Sequence, residues 1–129
     1  SIVHAALGDT GDWRYVVSVA GAEETFRHQF SPVCFYGHTH IPMVFEQREC
    51  VRLNTYQCLR LAEDVRYLIN VGSVGQPRDH DPRAAYVIFD TDARQVELRR
   101  LPYDIARTQA KIRQAKLPDW LALRLLFGV

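Results

Sequence analysis

Gly37-His38-Thr39-His40 is the stretch of this 129-residue sequence with the clearest capacity for chemistry. Two histidines two positions apart, placed just after the apolar run Val33-Cys34-Phe35-Tyr36, can aim both imidazoles at one place. Gly37 lets the backbone turn sharply and Pro42 stiffens the exit. Neutral imidazole is a good ligand for zinc, manganese or iron, and two close histidines can serve one ion or two adjacent ones. Taken alone, the same pattern also describes a pair of surface-loop histidines. His4 shifts that balance, because it follows another apolar pair, Ile2-Val3, and would occupy an equivalent place at a neighbouring strand end. Ligands of open α/β sheets gather at the carboxyl ends of strands. The set is incomplete, since a hydrolytic two-metal site also needs bridging carboxylates. The nearest acids, Asp9 and Asp12, lie in a polar, Gly-containing loop and read as solvated.

Other candidates are weaker. The glycines of Gly72-Ser73-Val74-Gly75 would let backbone amides approach a phosphate with Arg78 as a cationic partner, but a strand-end turn needed for packing is the preferred reading. Cys34 lies in a strand context that favours burial over ligation. A small zinc domain built on Cys34, His38 and His40 fits poorly, because no second close Cys pair completes it. His28 falls on the polar side of a helix and takes no role, and Asp79-His80-Asp81 reads as a solvated turn before Pro82.

The elements that must position the histidines mix strands and helices. Ile2-Val3 reads as the end of a strand, followed after the loop by an apolar run from Trp13 to Val19. Ala22 to Phe30 reads as a helix with Glu23 and Glu24 in its first turn, where they suit the helix dipole, and Ser31-Pro32 breaks it. Val33–Tyr36 and Tyr67–Val71 are continuous apolar runs of the kind buried on both faces. Met43–Arg48 and Val51–Leu61 alternate loosely, as half-exposed strands do. Ala84–Asp90 and Gln95–Leu101 make a hairpin across Thr91-Asp92-Ala93. Asp104 can cap a helix running to about Lys116, with a thin apolar stripe of Ile105, Thr108, Ile112 and Ala115 that would lie on a sheet edge. Pro118 suits the first position of a last packing helix that ends near Gly128.

Composition bounds the rest. The chain is 47% hydrophobic and 24% charged, with a formal net charge of +1, which reads as an ordinary globular chain of one domain or part of one. Near-neutrality argues against whole-chain electrostatic binding to nucleic acid or to an anionic membrane. Residues 94–124 carry eight Lys or Arg against three Asp or Glu, which reads as a solvated basic helix face. No stretch approaches the roughly 20 apolar residues of a membrane span, and no secretion signal is visible. Three cysteines, Cys34, Cys50 and Cys58, read as reduced, partly buried thiols, so the expected location is cytoplasmic.

Several motifs in series carry a resemblance. Gly37-His38-Thr39-His40-Ile41-Pro42 resembles the final metal motif of the calcineurin-like metallophosphoesterases. Asn70-Val71-Gly72-Ser73-Val74-Gly75-Gln76-Pro77-Arg78-Asp79, with Asp81-Pro82-Arg83-Ala84-Ala85-Tyr86, resembles a later segment of their bacterial and archaeal phosphodiesterase-like, diadenosine tetraphosphatase-related subgroup. The ending, Arg100-Leu101-Pro102-Tyr103-Asp104 and then Leu117-Pro118 with a Leu-rich helix, is similar too, so the resemblance covers essentially the whole chain. It implies an α/β fold, the C-terminal half of a four-layer α/β/β/α sandwich with mostly mixed sheet and terminal helices, and residues 1–129 as the later part of one domain. It implies hydrolysis of phosphoesters or phosphodiesters with two divalent ions of manganese, iron, zinc or nickel. His4 and His38 match the ligands of one ion, and His40 matches a ligand of the other. The implied partner is a phosphoester substrate, with nucleic acid entering only as a phosphodiester and no membrane.

The departure from the family pattern is large. Its first half supplies an Asp-x-His pair, a bridging Asp of a Gly-Asp motif, and a Gly-Asn-His motif carrying the proton-donating histidine. None of these stands in its family context here, so no catalytic residue is assigned within the 129 residues. The expectation is that the chain is cut just before His4 and is inactive by itself, while the complete protein hydrolyses phosphoesters. The alternative from another class is a non-catalytic half-domain acting as an interaction or assembly module, with the basic helix as its partner surface.

Overall fold

A computed structural model describes residues 1–8 and 13–129. The acids Asp9 and Asp12, and with them the reading of their loop as solvated, lie outside the described residues. The chain order is α1 (Val19–Arg27), β1 (Val33–Tyr36), β2 (Met43–Gln47), β3 (Val51–Asn54), β4 (Cys58–Arg60), β5 (Arg66–Asn70), β6 (Ala84–Asp90), β7 (Gln95–Leu101), α2 (Ile105–Gln114) and α3 (Asp119–Leu123), closed by a 3-10 turn at Arg124–Leu126.

Two sheets form. The first has the order β1-β5-β2-β3, with β1 and β5 parallel and the other pairs antiparallel. The second is an antiparallel β4-β7-β6 sheet. Period-2 alternation decides which residues face which layer. Cys34, Tyr36, Phe45 and Leu68 point towards Ala22 and Phe26 of α1, whereas Val44, Tyr67 and Ile69 point towards Ala85, Val96 and Leu98 of the second sheet. The layers are therefore helix, mixed sheet, antiparallel sheet. Arg66, at the start of β5, ties the end of α1 to the first sheet by donating to the Phe26 and Gln29 carbonyls, both at 3.0 Å.

Residues 1–4 run beside β1 in parallel: Val3 N–H donates to Phe35 O and Phe35 N–H to Ser1 O, both at 2.9 Å, and Gly37 N–H donates to His4 O at 3.1 Å. The expected strand end at Ile2-Val3 thus neighbours β1, which places His4 level with the turn after Tyr36.

Several sequence expectations need correction. The first helix starts at Val19, not Ala22, because the Ser18 hydroxyl accepts from Gly21 N–H and caps it there. Glu23 and Glu24 consequently lie past the first turn, and Glu24 pairs with Arg27 at 2.8 Å. The Val51–Leu61 run splits into two strands in different sheets. Helix α2 packs against α3 and the 3-10 turn instead of a sheet edge, with buried Gln109 donating to Ala122 O at 2.9 Å. Of the three free thiols only Cys34 is buried; Cys50 and Cys58 are exposed. Among the described residues no helix is long and apolar enough to cross a membrane.

The turn at Asp79-His80-Asp81 is anchored, not solvated. Alternation along β7 turns Val96, Leu98 and Arg100 inward, and Arg100 ends the row by gripping Asp79. Asp81 is held by Arg83 at 2.6 Å, with Arg100 3.7 Å away. The C-terminal turn closes over the same place, since His80 N–H donates to Gly128 O at 2.9 Å and a Cβ on Gly128 (φ +63°) would meet the Asp81 backbone at 2.8 Å. Hydrogen bonds from Arg83 hold the Asp81 carboxyl down from its ordinary 3.8 to about 2. A carboxylate lowered in the folded state adds stability that is present above its ordinary value and disappears as pH falls through the lowered one. Asp81→Asn is therefore expected to melt below the wild type at neutral pH, with the gap closing between about pH 4 and pH 2; a gap that ignores pH over that range would rule out this origin.

Candidate functional site

His4, His38 and His40 line one cleft of about 850 Å³, whose walls also include Ile2, Phe35, Val87 and Phe89. It opens along the side where residues 1–4 and β6 end their respective sheets. His4 Nε2 and His38 Nδ1 face each other at 3.0 Å, and their rings meet edge-on with centroids 4.9 Å apart. Which of the two nitrogens carries a proton depends on the tautomer, and two lone pairs facing each other at this distance would suit a shared cation. His40 faces another way: its Nδ1 is 2.7 Å from the carbonyl oxygen of Gln76. A proton on Nδ1, donated to that carbonyl, leaves Nε2 as a free lone pair. Burial, with help from the nearby positive charge of Arg78, pulls the His40 imidazole below its ordinary value against the opposing pull of the Gln76 carbonyl. It is accordingly neutral at physiological pH, the form that binds a cation.

The backbone makes this divergence possible. Both His38 (φ 66°) and His40 (φ 63°) are left-handed, a conformation uncommon for residues other than glycine. Buried Thr39 lies between them, and its N–H closes onto Gly37 O at 2.8 Å. Asn70, fully buried at the end of β5, holds the turn in place. Its Nδ2 donates to Gly37 O at 2.8 Å and to Thr39 Oγ1 at 2.9 Å, while its Oδ1 accepts from Gly72 N–H at 2.9 Å. Its own carbonyl accepts from Tyr56 OH at 2.7 Å. This buried amide thus links the β1 turn, the β5 turn and the second core. Sequence reasoning gave it no site role. The available signal was a polar amide ending the apolar run Tyr67-Leu68-Ile69 immediately before a turn.

The Gly72–Gly75 turn serves packing. Gly72 (φ +76°) has no room for a Cβ, which would lie 2.7 Å from Ala85 Cβ and 2.9 Å from Pro42 Cγ. The Gly75 and Gln76 amides are taken by Ser73 Oγ at 3.3 and 3.0 Å, and Arg78 is pinned to Gln76 Oε1 at 2.7 Å. Cys34 is buried away from the histidines, and His28 caps α1 and pairs with Glu24 at 3.5 Å.

The structure thus couples His4 to His38 and sets His40 in the same cleft with its own carbonyl partner. Among the described residues no group of three or more His, Cys, Asp or Glu converges closely enough to hold a metal ion without further donors.

Comparison with known proteins agrees with this architecture. A family model described as the calcineurin-like phosphoesterase superfamily domain matches residues 2–94. An uncharacterized protein of Methanocaldococcus jannaschii is 42% identical over 99 residues, which is 77% of this chain and 40% of that protein. The crystal structure of a metallophosphoesterase from Sphaerobacter thermophilus superposes with a TM-score of 0.88 at 40% identity, covering 99% of this chain and 55% of that one. The chain therefore spans between two fifths and just over half of the length of the relatives it matches.

Proposed function

The chain belongs to the calcineurin-like phosphoesterase superfamily, and from that premise we propose that its histidine cleft is the later part of a metal-dependent site hydrolysing phosphoester or phosphodiester bonds. In this reading His4 and His38 hold one divalent ion and His40 helps to hold a second. The observation that carries it is the opposition of His4 Nε2 and His38 Nδ1 at 3.0 Å. Two imidazole nitrogens brought this close would both reach a single divalent ion placed between them. The His40–Gln76 contact supports the second role, because a ligand histidine generally commits its other nitrogen to a carbonyl or carboxylate. Manganese, iron, zinc and nickel all accept imidazole nitrogen.

Divalent ions bound there supply Lewis acidity towards the phosphoryl oxygens and an acidified water. The residues of this chain orient and hold. Asn70 and Thr39 fix the turn so that the two imidazoles diverge, and depressed basicity keeps His40 unprotonated. Bridging carboxylates and a proton donor for the leaving oxygen have no counterpart in their family context within these 129 residues. They belong to further polypeptide, in the same chain or another.

The test compares the isolated 129 residues with the full-length protein, each loaded in turn with the four metals, using bis-p-nitrophenyl phosphate. Turnover is expected from the full-length protein alone. Hydrolysis by the 129 residues would overturn the division of labour, and inactivity of the full-length protein with every metal would overturn the phosphoester reading. A second reading, a non-catalytic assembly module, draws on the open cleft walled by Ile2, Phe35 and Phe89 together with the basic helix expected as its partner surface. It gains if that full-length protein is inactive.

A further inference from the structure

His40 is gripped at two points by one loop, and the far end of that loop is held by an arginine of the other sheet. His40 Nδ1 meets Gln76 O at 2.7 Å, and the His40 carbonyl accepts from Arg78 N–H at 3.2 Å. Pro77, buried between those two contacts, fixes its own φ and keeps Gln76 extended, so the bracket moves as one piece. Asp79 follows directly. Arg100 donates to both of its carboxylate oxygens, Nη1 to Oδ1 at 3.3 Å and Nη2 to Oδ2. The same Nη1 reaches Arg83 O at 3.4 Å, where the chain leaves the loop for β6. The side chain of Arg100 is only 10% exposed and that of Asp79 18%. Every one of these contacts is internal to the 129 residues, and none depends on an open surface.

We propose that Arg100 and Asp79 are positioning residues for His40: their ion pair sets the Gln76 carbonyl against Nδ1 and so aims the Nε2 lone pair at the second ion. The proposal rests on the reading of His40 as a ligand of that ion. A carbonyl can only accept, so its place decides which ring nitrogen keeps the proton and which is left to bind a cation. A planar guanidinium on both oxygens of a carboxylate fixes direction as well as distance, which a point charge does not. Desolvation offsets much of the attraction in so sheltered a pair, so its main product is a defined geometry. With Asp79 released, Gln76 O and Arg78 N–H would shift together, and His40 would lose its fixed partner on the ring and on the backbone. Neither Arg100 nor Asp79 exchanges a proton or a bond; both act through the backbone of residues 76–78.

The experiment uses the full-length protein with isotope-labelled histidine and compares the wild type with Arg100→Met and Asp79→Asn. Arg99→Met is the control, because Arg99 leaves the opposite face of β7 and pairs with Glu97 at 2.7 Å. Long-range nitrogen–proton spectra of the metal-free protein at about pH 8, above the ordinary histidine range, read the His40 tautomer. The His40 signals are those lost in His40→Gln. Wild type and Arg99→Met are expected to hold the proton on Nδ1 alone. Arg100→Met should give a mixture of both tautomers, and Asp79→Asn a smaller admixture. Calorimetric titration with manganese then reads the two ions separately, the second being the step that His40→Gln removes. Arg100→Met is expected to loosen that ion about 10–100-fold and to leave the first within about twofold. A tautomer that neither Arg100→Met nor Asp79→Asn alters overturns the proposal, as does equal loosening of both ions, the mark of general destabilisation. Should Arg100→Met not fold, Asp79→Asn, which keeps the shape and an acceptor oxygen, decides by the same two readouts. An altered tautomer in a protein that hydrolyses no phosphoester sustains the positioning and defeats only the reaction. An unaltered tautomer beside intact hydrolysis defeats only the positioning.

Discussion

His38→Gly in the full-length protein is expected to lower kcat/KM for a phosphodiester by about 10²–10³-fold, while the free energy of unfolding changes by less than about 1 kcal/mol. The two halves of that expectation have separate causes. The imidazole is lost from the pair with His4, so one donor to the first ion disappears. The backbone, in contrast, is relieved, because His38 sits at φ 66°, which costs a residue with a Cβ about 1–2 kcal/mol and glycine almost nothing. Greater freedom of glycine in the unfolded chain offsets most of that relief. The measurements are steady-state kinetics with metal titration, and urea unfolding of the same preparations. A variant that keeps its activity sinks the assignment of His38. One that loses activity and more than about 2 kcal/mol of stability together would mean that the imidazole is structural.

Asn70→Leu should have the largest effect on stability, about 3–5 kcal/mol. Leucine keeps the branched outline, though it is bulkier, and removes three side-chain hydrogen bonds, stranding Gly37 O and Gly72 N–H in the interior. Because the same amide holds the Gly37–His40 turn, apparent metal affinity should fall with stability even where the variant remains folded. The denaturation midpoint reads the first effect, and calorimetric metal titration well below that midpoint reads the second. A midpoint shift equivalent to less than about 1 kcal/mol would show that Thr39 and Gly72 find other partners, and that Asn70 does not position the site.

Much of this was legible in the residues. The apolar run Val33–Tyr36 and the hairpin strands Ala84–Asp90 and Gln95–Leu101 form with the expected bounds, since each is a short β-rich run ended by turn residues. His4, His38 and His40 were readable as one group because two apolar strand ends precede them. What failed, failed for identifiable reasons. The start of α1 was misplaced because the cap at Ser18 outweighs the acidic pair that suggested a later beginning. Asp79 was misread as solvated because its partner, Arg100, lies about 20 residues away and is aimed at it only by the inward face of β7, whereas the partner of Asp81, Arg83, stands only two residues on.

Local sequence therefore determined the strands, the turn chemistry of Gly37–His40 and the family to which the chain belongs, because propensity, periodicity and contiguous motifs are properties of neighbouring residues. Only the tertiary structure decided that His4 meets His38 while His40 turns to Gln76, that Asn70 ties the two turns together, and that Trp13 and Tyr15 stand beside the histidines. Those contacts join residues that parallel pairing of residues 1–4, β1 and β5 brings side by side across the sheet. A single sequence does not encode that register locally, since it is set by how two opposite faces of one sheet are buried at once.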